Sequence, residues 1–451
     1  MSRPGTDLTS DTIYAPATPA GVSALAVVRI AGPRALEAAS KSFSQSLVDK
    51  PRLAITGKLI NQDGEAVDIA VAVYYPQDRS PIGQDLVEMT IHGGAAASRA
   101  LMDSLNKAGC RLARPGEFTR RAMLYGKMDL IQAESVLAAV HAVDETGLKM
   151  AFSAASGELS SLIAKMADSL LSVRSLIEAS IEFPDDEDIA GVKPSDIAPE
   201  LSVVRDVLER LVNTADSAIS ALSGRRVAIA GPPNVGKSSL YNSLLGRNRA
   251  IVTSEAGTTR DALETLAVLA GSVVVLVDTA GIREAQSDAE KEGINRAKSE
   301  ISNADLVLWL TEASDQVTIP PIKFSKAPII SIATKADLCG PKRPDPDGRI
   351  FTSSLSGEGI VDLIGAISET LTALPVCDED ETRLISLRQK EMCMQALIAV
   401  KESVQILESE KPIELAALEL STAADCLQEI IGLQSANDVL NRIFDRFCIG
   451  K

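Results

Sequence analysis

The chain has 451 residues, with 45 Lys and Arg against 61 Asp and Glu and a formal net charge of −16. That balance disfavours non-specific nucleic-acid binding, so an RNA partner would need a local basic patch or an accessory protein. Hydrophobic residues make up 45% and aromatic ones only 3%, so the core is mainly aliphatic, and the length suits about three domains.

Residues 1–116 contain strand-like runs at Val22–Ile30, Leu53–Leu59, Ala66–Tyr75 and Leu86–Ile91, with Gly/Pro turns between them and two helical patterns interspersed. This predicts an α+β domain. From Glu117 to Ser220 an Ala/Leu/Ser/Ile periodicity is helical, broken at Glu182–Asp188. Residues 221–375 alternate strand and helix, as in an α/β nucleotide domain. Pro375 and the acidic Asp378-Glu379-Asp380-Glu381 mark a boundary, after which 376–451 return to helices. The expectation is an α+β multidomain chain whose helical domain, 117–220 with 376–451, is interrupted by an inserted α/β domain. No apolar run reaches transmembrane length, the N-terminus lacks a signal-peptide core, and the six cysteines show no paired spacing. A cytoplasmic, reducing setting with neither membrane, disulfide framework nor zinc site is expected.

Within the inserted segment, the apolar Val227-Ala228-Ile229-Ala230 leads into Gly231-Pro232-Pro233-Asn234-Val235-Gly236-Lys237-Ser238, and Ser238-Ser239-Leu240 opens a helical pattern. Strand, glycine loop and helix in this order form a phosphate-binding loop. Its N–H groups and the helix start curl around phosphate oxygens. Lys237 reaches the β/γ-phosphates, and the Ser238 hydroxyl suits Mg²⁺. The run Val273–Val277 reads as a parallel strand ending in Asp278-Thr279-Ala280-Gly281, where Asp278 can hold a magnesium-bound water and the Gly281 N–H can face a γ-phosphate. Two further strands, Leu306–Leu310 and Ile329–Ala333, follow, and the second delivers Thr334-Lys335-Ala336-Asp337.

That tetrapeptide resembles the NKxD base-reading motif of GTPases. A buried carboxylate at Asp337 selects guanine, because adenine would leave it unpaired. Thr334 stands where most of the family has Asn, and its single donor predicts weaker base affinity. Ser353-Ser354 sits at the last base-contacting loop. Thr253-Ser254-Glu255-Ala256-Gly257-Thr258-Thr259-Arg260-Asp261 lies where a switch loop belongs, with Thr259 the candidate second Mg²⁺ ligand. Many switch GTPases place a glutamine after D-T-A-G to orient the attacking water; here that position is Ile282. Arg260 and Arg283 are candidate arginine fingers, although arginines in polar loops are more often solvated. Asn234 with Thr253–Thr258 offers enough oxygen to hold a monovalent cation instead.

The closing Phe447-Cys448-Ile449-Gly450-Lys451, taken with the phosphate loop and Gly257-Thr258-Thr259-Arg260-Asp261, resembles the MnmE (TrmE) family of GTPases that modify the tRNA wobble uridine. Asp11-Thr12-Ile13, Ala17-Thr18-Pro19, His92-Gly93-Gly94 and Ala113-Arg114-Pro115-Gly116-Glu117-Phe118-Thr119-Arg120-Arg121-Ala122 extend the resemblance over essentially the whole chain. It implies a tetrahydrofolate-binding, dimerising N-terminal domain and a Ras-like P-loop GTPase insert. Arg29, Glu88, Lys127 and Lys451 would contact 5-formyltetrahydrofolate or methylenetetrahydrofolate. Read alone, Arg29 is ordinarily a surface charge and Lys127 a helix cap. Gly83-Gln84-Asp85 replaces the family's common G-E-D. Glu290 would orient the hydrolytic water, and Asn234, Thr253, Glu255 and Thr258 would bind K⁺. The implied assembly is a homodimer that joins the FAD-dependent MnmG (GidA) subunit in a heterotetramer acting on tRNA.

Cys448 has three readings: a plain tail residue, a poorly matched prenylation box, or the family's thiol aimed at the folate site. Leu440, Ile443, Phe444 and Phe447 recur at helical spacing before it and predict an amphipathic helix that packs the tail. Arg111, Arg114, Arg120, Arg121 and Lys127 form the densest basic segment, read equally as an attraction for tRNA or folate and as a solvated helix edge. The function expected is a K⁺-activated GTPase that, with its flavin-dependent partner, adds an aminomethyl-type group to C5 of the wobble uridine using a folate one-carbon unit. The alternative is a ribosome-assembly GTPase, which would be expected to carry an RNA-binding module. A third, a folate enzyme with a regulatory GTPase, is disfavoured by the lack of an obvious flavin or pyridoxal site.

Overall fold

The computed structural model describes residues 10–182, 194–247, 264–269, 272–278, 301–302, 304–314, 327–339, 348–374, 382–409, 411–433 and 437–451. The chain forms two compact units.

The first unit is built from Met1–Leu137, Ala155–Leu208 and Glu391–Lys451. Its sheet contains β1 (Ile13–Pro16), β2 (Leu25–Ala31), β3 (Ile55–Ile60), β4 (Ala66–Tyr75), β5 (Leu86–His92) and β6 (Arg111–Leu112), in the order β3-β4-β5-β2-β1-β6. The predicted span Ala66–Tyr75 is met residue for residue. The run from Val22 was too long: Val22 is 96% exposed and the strand begins at Leu25. Strands alternate their side chains between faces. One face, with Val28, Ile30, Ala70, Ala72, Met89 and Ile91, packs on α1 (Ala35–Lys41) and α2 (Ala95–Lys107). On the other, Ile13, Ala15, Ala31 and Leu86 are covered by Phe118 and Ala122 of α3 (Glu117–Leu124). The rest of that face carries Val27, Arg29, Val71, Val73 and Glu88, all partly exposed, with Leu25 58% and Ile69 62% exposed.

Beyond α3 come α4 (Leu130–His141), α5 (Glu145–Ala155), α6 (Glu158–Glu182) and α7 (Pro194–Ser223). In the second unit, Ala138–Ala154 and Glu209–Lys390, strands β7 (Arg225–Ala230), β8 (Glu264–Leu269), β9 (Ser272–Asp278), β10 (Leu306–Glu312), β11 (Ile329–Thr334) and β12 (Ile350–Phe351) take the order β12-β11-β10-β7-β9-β8. All pairs are parallel except β8 with β9. Helices α8 (Lys237–Arg247) and α9 (Ile360–Ala373) pack with Leu240, Leu244, Leu363 and Ile367 on Val227, Ile229, Leu308 and Ile332. Ala228, Ala230, Ala304 and Val307 form the opposite layer. Burial on both faces explains why these strands read as unbroken apolar runs.

The chain ends with α10 (Leu387–Leu407), α11 (Ile413–Ile431) and α12 (Asn437–Phe444). In the first unit α6 and α11 pack together: Ile163, Met166, Leu170, Val173 and Ile177 face Ala416, Ala417, Leu420, Ala423 and Leu427, all buried. The alanines let the axes approach closely. The amphipathic helix expected over Leu440–Phe447 stops at Phe444. Phe447 is carried on by a turn in which its N–H donates to the Phe444 carbonyl at 3.0 Å, yet it is 4% exposed beside Leu130, Leu440 and Phe444.

Candidate functional site

Because β7, β9, β11 and β12 run parallel, the residues following them gather at one edge of the sheet. β7 opens into the phosphate loop, β9 ends at Asp278 and β11 at Thr334. A β-carbon on Gly231 would lie 2.5 Å from the Leu310 carbonyl oxygen, so only glycine lets the loop leave the sheet there. Asn234 takes a left-handed φ of 61° and Gly236 one of 99°. The Lys237 ammonium donates to the carbonyls of Gly231 and Pro232 at 2.8 and 2.7 Å. Val235 is buried, whereas Asn234, Ser238 and Ser239 are exposed at the mouth of α8.

The Thr334–Asp337 segment follows on the same edge. Thr334 is buried, with its hydroxyl donating toward the Val235 and Thr311 carbonyls. Lys335 has φ 57° and pairs with Glu312. The Asp337 carboxylate is exposed rather than buried as expected, since it stands on a short 3₁₀ turn at the sheet edge. Ser353, fully buried, donates to it at 2.5 Å and fixes its direction. Ser354 is exposed. Thr253, Ser254, Glu255, Ala256, Gly257, Thr258, Thr259, Thr279, Ala280, Gly281 and Glu290 lie outside the described residues.

A second constellation lies on the open sheet face of the first unit. Arg29 on β2 and Glu88 on β5 are cross-strand partners, and their side chains meet at 2.8 Å. The Arg29 guanidinium also donates to the Gly450 carbonyl at 3.3 Å, and the Tyr75 hydroxyl donates to Glu88 at 3.5 Å. Gly450 has φ 100°, and a β-carbon on it would fall 2.3 Å from the Pro16 carbonyl oxygen, so the tail lies against β1 as only glycine allows. Lys451 has its ammonium pKa pulled down, first by burial and then by the Arg29 charge, with the Cys448 thiol acting the other way. Cys448 is exposed. Arg29, Glu88 and Lys451 are thus brought together beside Cys448. Lys127 is not among these contacts: it is exposed and lines an open groove of ≈ 560 Å³ with Gly83, Asp85 and Tyr125. Sequence reasoning missed Tyr75, whose signal was strand alternation, and Gly450, whose signal was a glycine in an otherwise side-chain-rich tail.

The basic segment is neither a nucleic-acid patch nor a solvated edge at its centre. Arg121 is fully buried, bonded to Glu117 at 2.9 Å and Asp11 at 2.5 Å. Arg111 joins the same two carboxylates at 2.7 and 2.8 Å. The buried Arg121–Glu117 pair is therefore flanked by the half-exposed Arg111 and Asp11, whose opposite charges lower the cost of burying it. Gln84 accepts from Arg121 at 3.1 Å and donates to the Tyr125 hydroxyl at 3.0 Å. Burial pushes the Glu117 carboxyl up, but Arg111, the Arg114 N–H and Arg121 together outweigh it and hold it below the usual range.

Two family models match the chain: the TrmE N-terminus of GTP-binding proteins over residues 12–127 and the MnmE helical domain over 130–448. The tRNA modification GTPase MnmE of Aquifex aeolicus is 37% identical over 97% of this chain and 99% of its own length. The chain belongs to the MnmE family of tRNA modification GTPases. The members from Akkermansia muciniphila and Thermus thermophilus are each 38% identical over 98% of this chain and 99% of theirs. GTP hydrolysis coupled to tRNA modification is thus the family activity. Among the described residues no helix is long and apolar enough to cross a membrane.

Proposed function

We propose that this GTPase is activated by K⁺, requires Mg²⁺ and works in the cytoplasm with the flavin-dependent MnmG subunit, adding an aminomethyl-type group to C5 of the wobble uridine from a folate one-carbon unit. The observation that carries the folate part is the Arg29–Glu88 pair joined to the Gly450 carbonyl. It unites a cation, a carboxylate and the tail bearing Cys448 on one partly exposed surface. A folate offers an acidic tail to Arg29 or Lys451 and a pterin N–H edge to Glu88. Lys127, on its own groove, would take a more distant part of the ligand.

The half-open apolar face around Leu25, Val27, Ile69, Val71 and Val73 supports a homodimer through this unit. At the nucleotide edge, Ser238 and Asp278 would hold Mg²⁺ with Thr259, which neutralises phosphate charge when bound. Asn234, with Thr253, Glu255 and Thr258, would hold K⁺, Glu290 would orient the attacking water, and Asp337 would read guanine.

The test is titration of 5-formyltetrahydrofolate into wild type and Arg29→Ala, alongside mass spectrometry of tRNA nucleosides from cells carrying each. Loss of folate binding and of the C5 group together is the expected result. A variant that binds folate normally would remove Arg29 from the site.

A further inference from the structure

The hydroxyl of Thr334 lies 2.6 Å from the Val235 carbonyl oxygen and 3.0 Å from that of Thr311. The residue is only 5% exposed. A threonine hydroxyl has a single proton, and both of these neighbours are pure acceptors. That proton is therefore shared between two main-chain carbonyls, one in the phosphate loop and one on β10. A β-carbon on Gly236 would stand 3.9 Å from the Thr334 β-carbon, so the loop passes close to this side chain. No donor of Thr334 is left to face a base. An asparagine has two amide N–H donors and a carbonyl, so in the same place it can hold the loop and also reach the N7 acceptor of a purine.

We propose that Thr334 leaves the purine N7 unread in this enzyme. Guanine is recognised through Asp337 at its N1–H and 2-amino edge, while the Thr334 hydroxyl ties the phosphate loop to the strand that carries Asp337. The proposal rests on the reading of Thr334–Asp337 as the base loop. Selection against adenine survives because Asp337 is aimed by Ser353, independently of Thr334.

The experiment is competition of GDP and 7-deaza-GDP, in which N7 is a C–H, against a fluorescent guanine nucleotide on the full-length protein. Wild type is expected to bind the two within about twofold, whereas Thr334→Asn should prefer GDP by about tenfold, the value of one added hydrogen bond. Thr334→Ser keeps the hydroxyl and should behave as wild type. Thr334→Val removes the hydroxyl proton shared by the two carbonyls and should weaken both ligands alike, by about tenfold. A wild-type preference for GDP of about fivefold or more would overturn the proposal whatever the variants do. Unchanged binding by Thr334→Val would remove the tie between loop and strand. Asp337→Asn separates the two claims: weakened GDP with gained xanthosine diphosphate keeps the base-loop reading, and unchanged GDP affinity would sink both.

Discussion

Gly116, the residue before α3, passes so close to Phe444 at the end of α12 that a β-carbon would lie 2.8 Å from the Phe444 carbonyl oxygen. Its φ of +64° is also left-handed. Both conditions require glycine. Gly116→Ala should destabilise the first unit by about 1–3 kcal/mol, read as a lower melting temperature. It should also speed proteolytic cleavage near residues 437–451. An unchanged melting curve would mean that α12 gives way freely.

The buried ion cluster makes a second prediction. Arg121→Met removes one cation and leaves Glu117 and Asp11 facing a single arginine, at an expected cost of about 3–5 kcal/mol. The acid response follows from the carboxyl shifts. Asp11 is held below its usual range: burial raises it, but Arg111 and Arg121 prevail. Glu117 is lowered as well. Groups depressed in the folded state contribute stability above their unfolded pKa and lose it as pH falls through the folded one. Wild type should therefore hold its stability to near pH 4 and weaken below it. Denaturant unfolding across pH 3–6 checks this, and Arg121→Met, which brings the folded-state carboxyls back toward their unfolded pKa values, should be less stable throughout but lose less on acidification.

Potassium should stimulate GTP hydrolysis strongly and sodium should not, because Ile282 cannot orient water and Asn234 stands exposed in the phosphate loop to help hold an ion. Asn234→Lys should place a fixed ammonium there and remove much of the potassium dependence. Phosphate release measured in the two salts decides it, and equal rates would end the idea.

Cys448→Ser should leave GTP hydrolysis nearly intact and abolish tRNA modification. The thiol is exposed on the tail beside Lys451, and serine is a far weaker nucleophile at neutral pH. Phosphate release and nucleoside mass spectrometry on one preparation give both readings. Normal modification by the variant would reduce Cys448 to a bystander.

The strand, glycine loop and helix of β7 and α8 were legible because their signal is local: glycines where the backbone must turn or pass close, after an apolar strand and before a helix. The ten-residue β4 was legible from its length. By contrast β1 is four residues ending in proline, and β6 is two residues long, too short for any periodicity. Arg121 was misread because a guanidinium signals surface unless its carboxylates are known, and Asp11 is 110 positions away. The joining of Arg29 to Gly450 across 421 positions depends on strand pairing that no single segment encodes. The exposure of Asp337 was equally hidden, since it is set by a turn at the sheet edge.

Asp305 gives the nucleotide sheet a fixed end. Its carboxylate accepts from the Ser220 hydroxyl on α7 and from the Arg226 N–H at 2.7 Å, its own N–H donates to the Arg226 carbonyl at 2.9 Å, and Arg225 stands 3.7 Å away. One side chain thus clamps the close of a 30-residue helix to the beginnings of two adjacent strands, at the rim opposite the phosphate and base loops. Removing that one carboxylate would release all three elements together, so the firmness of this rim is written into a single aspartate.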